Sequence, residues 1–188
     1  MSDLNSLDDV ALVAQAQREL PYRSAAYECL MKRHQPYLYR LIFASLKDPD
    51  DSQDVLQEVL VRVYKSLPAF QGKSAFRTWL TTIAINRCNT RHERMKREMQ
   101  IKELLKGQTS HEPEYEPASE HSPEEFGFLM QGLNYQERQI LSLRFIGDLE
   151  LKEIADIVGM ALSATKMKYY RALEKVKKQR APAELSPK

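Results

Sequence analysis

Apolar residues recur at every third or fourth position through each long segment of the chain, and no stretch sustains the two-residue alternation of a half-buried strand. The pattern predicts an all-α fold. Ser6 and Asp9 have the spacing of a capping box for a first helix that reaches Leu20, where Pro21 stops it. A second helical period runs through Tyr27, Leu30, Met31, Leu38, Leu41 and Ile42. Pro36 lies inside it, removes a backbone donor and crowds the preceding turn, so a kink or a division is expected there. After the turn-forming Asp48, Pro49 and Asp50, a third helix carries Val55, Leu56, Val59, Leu60, Val63 and Leu67 and ends at Pro68. Ser74 is placed to cap a fourth, very long helix. Its stripe of Phe76, Trp79, Leu80, Ile83 and Ala84 fades beyond Cys88 into Arg91, Arg94, Lys96 and Arg97, which implies that the helix projects from the bundle.

From Gly107 to His121 the chain turns to Glu, Pro, Ser, Thr and Gln, and burial there is too small to offset the entropy of ordering. Residues 107–121 therefore read as a flexible acidic linker. Ser122, Pro123 and Glu125 supply a cap, a proline at the first helical position and a capping acid, so a second domain opens there. Asn134 and Glu137 repeat the device for a helix that ends near Gly147. Leu151 to Lys178 then reads as a short helix, a glycine turn and a long basic helix, which is a helix-turn-helix. Ile154, Ala155 and Val158 face inward, Gly159 supplies a positive φ, and Ser163 is the expected N-cap of the long helix. Tyr169, Leu173 and Val176 form its apolar side, while Lys166, Lys168, Arg171, Lys175 and Lys178 form the other. Such a helix fits a major groove, with its first residues near base edges and its later cations near phosphates. The expected organisation is a helical bundle over 1–106, the linker over 107–121, a second helical domain over 122–180 and a tail over 181–188.

A hydrophobic fraction of 43% and only six glycines among 188 residues suit two small globular domains rather than a disordered chain. The net charge of +2 conceals blocks. An acidic run at Asp48, Asp50, Asp51, Asp54 and Glu58 is followed by a basic one at Arg87, Arg91, Arg94, Lys96 and Arg97, a pattern suited to meeting both a polyanion and a basic protein surface. Cys29 and Cys88 form no C-x-x-C pair and read as buried thiols, so neither a disulfide framework nor a zinc site is expected. His34, His92, His111 and His121 are scattered, and no convergent set of acids, bases, nucleophiles or metal ligands accompanies them. No catalysis and no cofactor are expected. No signal peptide opens the chain and no apolar run approaches the roughly 18 residues of a membrane helix, so the expectations are a cytoplasmic location and no membrane insertion.

From Gln53 to Asn89 the chain reads QDVLQEVLVRVYKSLPAFQGKSAFRTWLTTIAINRCN. In order and spacing, Asp54, Gln57, Glu58, Tyr64, Phe70, Gly72, Ser74, Phe76, Thr78, Trp79, Leu80, Ile83, Ala84 and Asn86 resemble the D-x-x-Q-E and F-x-G-x-S-x-F-x-T-W-L-x-x-I-A-x-N patterns of the extracytoplasmic-function (group IV) RNA polymerase sigma factors. The helix-turn-helix lies where that family places its second domain. The resemblance implies a sigma-2 helical bundle and a sigma-4 helix-turn-helix domain that bind RNA polymerase core and read the minus-ten and minus-thirty-five promoter elements. The implied partners are the beta-prime clamp and beta flap of core polymerase, promoter DNA and an anti-sigma factor.

Residue by residue, the resemblance gives Gln53, Asp54, Gln57, Glu58 and Tyr64 to polymerase binding. On one helix face such groups can form charge-assisted hydrogen bonds to a basic helix. The loop with Phe70, Lys73 and Ser74 would capture a flipped minus-ten base beside a helix N-terminus, with Arg77 nearby. Asn86 and Asn89 would read base edges, and Arg87 and Arg91 would follow the backbone phosphates together with Arg94. Trp79 lies in the apolar stripe and reads as core. In the second domain, Ser163, Ala164, Lys166 and Lys168 would lie near base edges and Arg171 near phosphate. Many members have arginine where this chain has Lys166 and Lys168, and a lysine lacks the planar fork that makes bidentate guanine contacts. The alternative is a stand-alone helix-turn-helix regulator, which would bind promoter DNA without polymerase.

Overall fold

The helical periods become seven α-helices among the described residues, which in this computed structural model are 4–106, 130 and 132–180, and none of those residues is in a strand. They are α1 (Asp9–Glu19), α2 (Ala25–Leu46), α3 (Pro49–Ser66), α4 (Phe76–Lys106), α5 (Tyr135–Phe145), α6 (Leu151–Val158) and α7 (Leu162–Arg180). Among the described residues, one compact unit comprises 4–42 and 49–106 and the other comprises 43–48, 130 and 132–180. The expected linker 107–121, the cap at Ser122 to Glu125 and the tail 181–188 lie outside the described residues.

In the first unit, α1 buries Leu12, Val13 and Ala16, and α3 buries Val55, Leu56, Val59 and Val63. Leu80, Ala84, Ile85 and Cys88 of α4 have no exposed surface. Several local expectations change. Asp8, not Ser6, caps α1 by accepting from the Ala11 N–H at 2.8 Å, because Asp9 is turned to the Arg33 and His34 side chains. The second helix runs through Pro36 without division. Burial of Leu30, Leu38, Leu41 and Ile42, worth about 1.5–3 kcal/mol each, outweighs the cost of about 3 kcal/mol for an internal proline. Pro49 is the first residue of α3, where its missing N–H costs nothing, and the chain reverses instead at Lys47, with φ 62°. Ser74 lies two positions ahead of α4 rather than at its cap, since the Trp79 N–H closes the first turn on the Ala75 carbonyl. The far part of α4 has lost its apolar stripe, and residues 96–102 are all exposed. Cys88 is buried, but Cys29 is only half-buried.

In the second unit, Asn134 and Glu137 make the expected capping box, each side chain accepting from the other's backbone N–H at 2.9 Å. Met130, Leu133, Leu141 and Ala172 form a core cluster, flanked by Tyr169, Leu173 and Val176. Ile154 and Ala155 are buried and Val158 is half-buried, as its helical phase requires. Gly159 has φ 67° and ψ 35°, the left-handed conformation that ends α6 and lets the Met160 N–H reach the Ala155 carbonyl at 3.0 Å. The long helix starts at Leu162, so Ser163 is inside the first turn and is not the cap. The buried Thr165 is held there instead, its hydroxyl donating to the Ala161 carbonyl at 3.1 Å.

Candidate functional site

The acidic run is sorted by the packing of α4 against α3. Gln53, Asp54, Gln57 and Glu58 are exposed on one face of α3, and Val61, 54% exposed, continues that face one turn on. Asp51, seven residues before Glu58 and on the same flank, is buried against α4. Its Oδ1 accepts from Arg91 Nε of α4 at 2.9 Å and from a second nitrogen of the same guanidinium. The bonded Asp51 and the surrounding carboxylates hold the Arg91 guanidinium above its ordinary value, against the opposing pull of desolvation. Glu58 has a looser neighbour in Arg87, at 3.9 Å. Tyr64 is half-buried behind the face, its hydroxyl donating to the Pro21 carbonyl at 3.2 Å and its ring meeting Tyr27 edge-on at 5.3 Å. The Tyr27 hydroxyl donates to the Leu60 carbonyl at 2.6 Å, and burial, then the Tyr64 charge, pushes it up to about 12.

These distances give the basic stripe its partners within the chain. Arg91 falls three residues after Cys88 and continues the inward row of Leu80, Ala84 and Cys88, so it meets Asp51 rather than open solvent. Arg87, on the flank of the same row, is turned toward Glu58. Arg94 is bonded to Glu98 at 2.8 Å on the helix surface. Asn86 is exposed on the opposite face, and Asn89 is half-buried. Near the start of α4, the Arg77 guanidinium lies 4.1 Å from the centre of the Tyr37 ring, a cation–π contact.

Ahead of α4, residues 71–75 form an exposed loop. Gly72 has φ 67°, and a side chain there would meet no atom within 4 Å, so the glycine answers to backbone conformation and not to space. The loop stands on an aromatic floor. The Phe70 ring lies 4.8 Å from Trp79 and 5.7 Å from Phe76, and all three rings are half-buried. Trp79 is thus a shared wall rather than deep core. Lys73 and Ser74 are exposed above it. Gln17 of α1 reaches the loop's root by donating to the carbonyls of Leu67 and Phe70, and no pattern in the sequence pointed to it.

On α7, Thr165 and Ala172 face the core, which turns Ser163, Met167, Tyr170 and Glu174 to the outside. Met167 and Tyr170, 51% and 60% exposed, occupy the middle of that face. Their four-then-three spacing from Ser163 is a signal legible in the sequence. Lys166 and Arg171 flank the row and are exposed, whereas Ala164 and Lys168 are half-buried. Lys175 is taken up internally, donating to the Glu137 oxygens at 2.7 and 2.8 Å. Burial pushes the Glu137 carboxyl up, but the Lys175 hydrogen bond, the Asn134 N–H and the charges of Lys175 and Lys168 together hold it below its ordinary value.

Two parts of the chain match known families: residues 30–98 match Sigma-70 region 2 and residues 129–178 match Sigma-70, region 4. The RNA polymerase sigma factor SigV of Bacillus subtilis (strain 168) is 28% identical over 158 residues, covering 81% of this chain and 90% of that protein. The ECF RNA polymerase sigma factor SigX of the same strain is 24% identical over 165 residues, covering 81% and 82%. A solved structure of the sigma factor RpoE in complex with the anti-sigma factor NepR, from Bartonella quintana, shares the fold. Its TM-score is 0.66 at 20% identity, covering 81% of this chain and 95% of that one.

Proposed function

The chain belongs to the sigma-70 family, in its extracytoplasmic-function group, and from that premise we propose which of its surfaces does what. It is an alternative RNA polymerase sigma factor, a non-enzymatic protein that binds core polymerase and directs promoter-specific initiation. The face of Gln53, Asp54, Gln57 and Glu58 takes the beta-prime clamp, with Val61 as an apolar contact at its edge. A desolvated apolar contact beside charge-assisted hydrogen bonds is an arrangement that concentrates binding energy. Tyr64 supports this face from behind. The loop from Phe70 to Ser74 takes a flipped minus-ten base over the floor of Phe70 and Trp79, with Lys73 and Arg77 supplying positive charge and Asn86 reading a base edge. Arg91, and to a lesser degree Arg87, position α4 against α3 instead of following phosphates.

On α7, Ser163, Lys166 and Arg171 face the minus-thirty-five duplex, joined by Met167 and Tyr170, while Ala164 and Lys168 lie at its margin. Sigma-2 spans 1–106 and sigma-4 spans 122–180, with 107–121 as the tether and 181–188 as the tail. The second domain meets the beta flap. The further partner is an anti-sigma factor, a reading supported by the complex of the structurally similar RpoE with NepR. Among the described residues no helix is long and apolar enough to cross a membrane, and we place the protein in the cytoplasm. Within the group the chain is a SigX-like member, supported by the likeness to SigX across most of the chain, which SigV shares.

What supports this division of labour above all is the sorting on α3, where one carboxylate is consumed by Arg91 while two carboxylates and two amides stay exposed on a single face. Asp54→Lys with Gln57→Lys should abolish co-purification with core polymerase and run-off transcription on genomic fragments, with unchanged thermal unfolding. Normal holoenzyme assembly by that variant would overturn the clamp assignment.

A further inference from the structure

A single side-chain amide of the first helix holds the root of the exposed loop. Gln17 Nε2 donates to the Phe70 carbonyl at 2.7 Å and to the Leu67 carbonyl at 3.0 Å, across 53 and 50 residues of sequence. A primary amide has two hydrogens, enough for both acceptors. The Leu67 carbonyl also accepts from the Phe70 N–H at 3.0 Å, so the chain immediately before the loop is pinned at both ends of one turn. Pro68 lies inside that turn and has no N–H of its own to contribute. The Leu67 side chain is fully buried, and the Phe70 ring lies against Trp79 at 4.8 Å. Beyond Phe70 every residue to Ala75 is exposed, and Gly72 has open space around it. The loop therefore has a rigid root and a free crown, and the rigidity at its first residue comes from α1.

We propose that Gln17 is a positioning residue for capture of the flipped minus-ten base: by fixing the main chain at Phe70 it sets the aromatic floor and the first donors of the loop before single-stranded DNA arrives. The proposal rests on the loop assignment made under Proposed function. Extruding a base costs a few kcal/mol, and a loop that had to order itself at the same moment would lose affinity to that ordering. A preset loop avoids the loss. Gln17 touches neither base nor phosphate and acts through Phe70.

The test uses holoenzyme reconstituted from the full chain and core RNA polymerase. The probe is a short non-template-strand oligonucleotide, selected from a randomised pool by the wild-type holoenzyme and remade with an abasic site at each position in turn. Wild type should show one position where loss of the base weakens binding far more than elsewhere. Gln17→Met, which keeps the volume and lacks a donor, should lower that base-to-abasic ratio about fivefold, the scale of one net hydrogen bond, with unchanged affinity for core and for the abasic strand. Gln17→Lys keeps a donor within reach and should restore the ratio. Val13→Ala, which loosens the buried face of the same helix, should lower the unfolding temperature and leave the ratio alone. A wild-type ratio in Gln17→Met, or an equal fall in Val13→Ala, would reduce Gln17 to an ordinary tertiary contact and leave the loop assignment standing. If no position discriminates in the wild type, the loop assignment fails and the proposal fails with it.

Discussion

Arg91 and Asp51 close α4 onto α3, two nitrogens of one guanidinium meeting a single carboxylate oxygen. Breaking a buried ion pair from one side costs about 3–5 kcal/mol, because the remaining charge is stranded. The Arg91 side chain is 27% exposed, which reduces the expected loss to about 2 kcal/mol. Arg91→Ala and Asp51→Ala should each lower the urea unfolding free energy by about that amount, followed at the lone Trp79, and the double variant should lose less than the sum. Arg91→Ala should leave the salt dependence of promoter binding unchanged. A slope flatter by about one would return Arg91 to the phosphates.

Glu137 links the start of α5 to Lys175 of α7, and its carboxyl is held below the ordinary value of 4.5. A carboxyl with a lowered folded-state value contributes stability that is complete above the ordinary value and disappears as pH falls through the folded one. Glu137→Gln keeps the cap acceptor and loses the ion pair. Because the Lys175 side chain is 46% exposed, the deficit should be about 1 kcal/mol at neutral pH. It should shrink in acid, as read by circular dichroism melts across that range. A deficit that grows toward acid would reverse the sign.

Val61 is apolar and exposed one turn beyond Gln57 and Glu58 on the carboxylate face, a position with little consequence for folding and much for docking. Val61→Glu should weaken core binding about tenfold, on the scale of one buried aliphatic side chain, with no change in unfolding temperature. Fluorescence anisotropy against core polymerase reads the first quantity and a thermal melt the second.

Lys166 and Met167 are neighbours on α7 with different expected effects. Lys166→Ala should weaken binding to all duplexes alike and flatten the slope of log affinity against log salt by about one. Met167→Ala should leave that slope unchanged and relax sequence preference instead, because the apolar partner available in the major groove is the thymine methyl. Binding of the holoenzyme to promoter variants at several salt concentrations separates the two. A change of slope for Met167→Ala would contradict the assignment.

Features that close within one turn were legible from residue order. The capping box of Asn134 and Glu137, the left-handed Gly159 and the apolar rows of α3 and α6 all depend on neighbours three or four positions away. Even at that range the choice among adjacent polar residues was lost, as with Asp8 for Ser6 at α1, because the side chain that caps depends on what its neighbour is doing. Asp9 was drawn away by His34 at 2.7 Å. The candidate site divides in the same way. The exposed acids of α3 and the cationic start of α7 follow from helical phase, and so does the inward direction of Arg91. The partners of the inward groups do not. Gln17 at Phe70, Arg91 at Asp51 and Lys175 at Glu137 meet across 53, 40 and 38 residues. One-dimensional periodicity says which side of a helix is turned inward, and only packing decides which other helix it finds there.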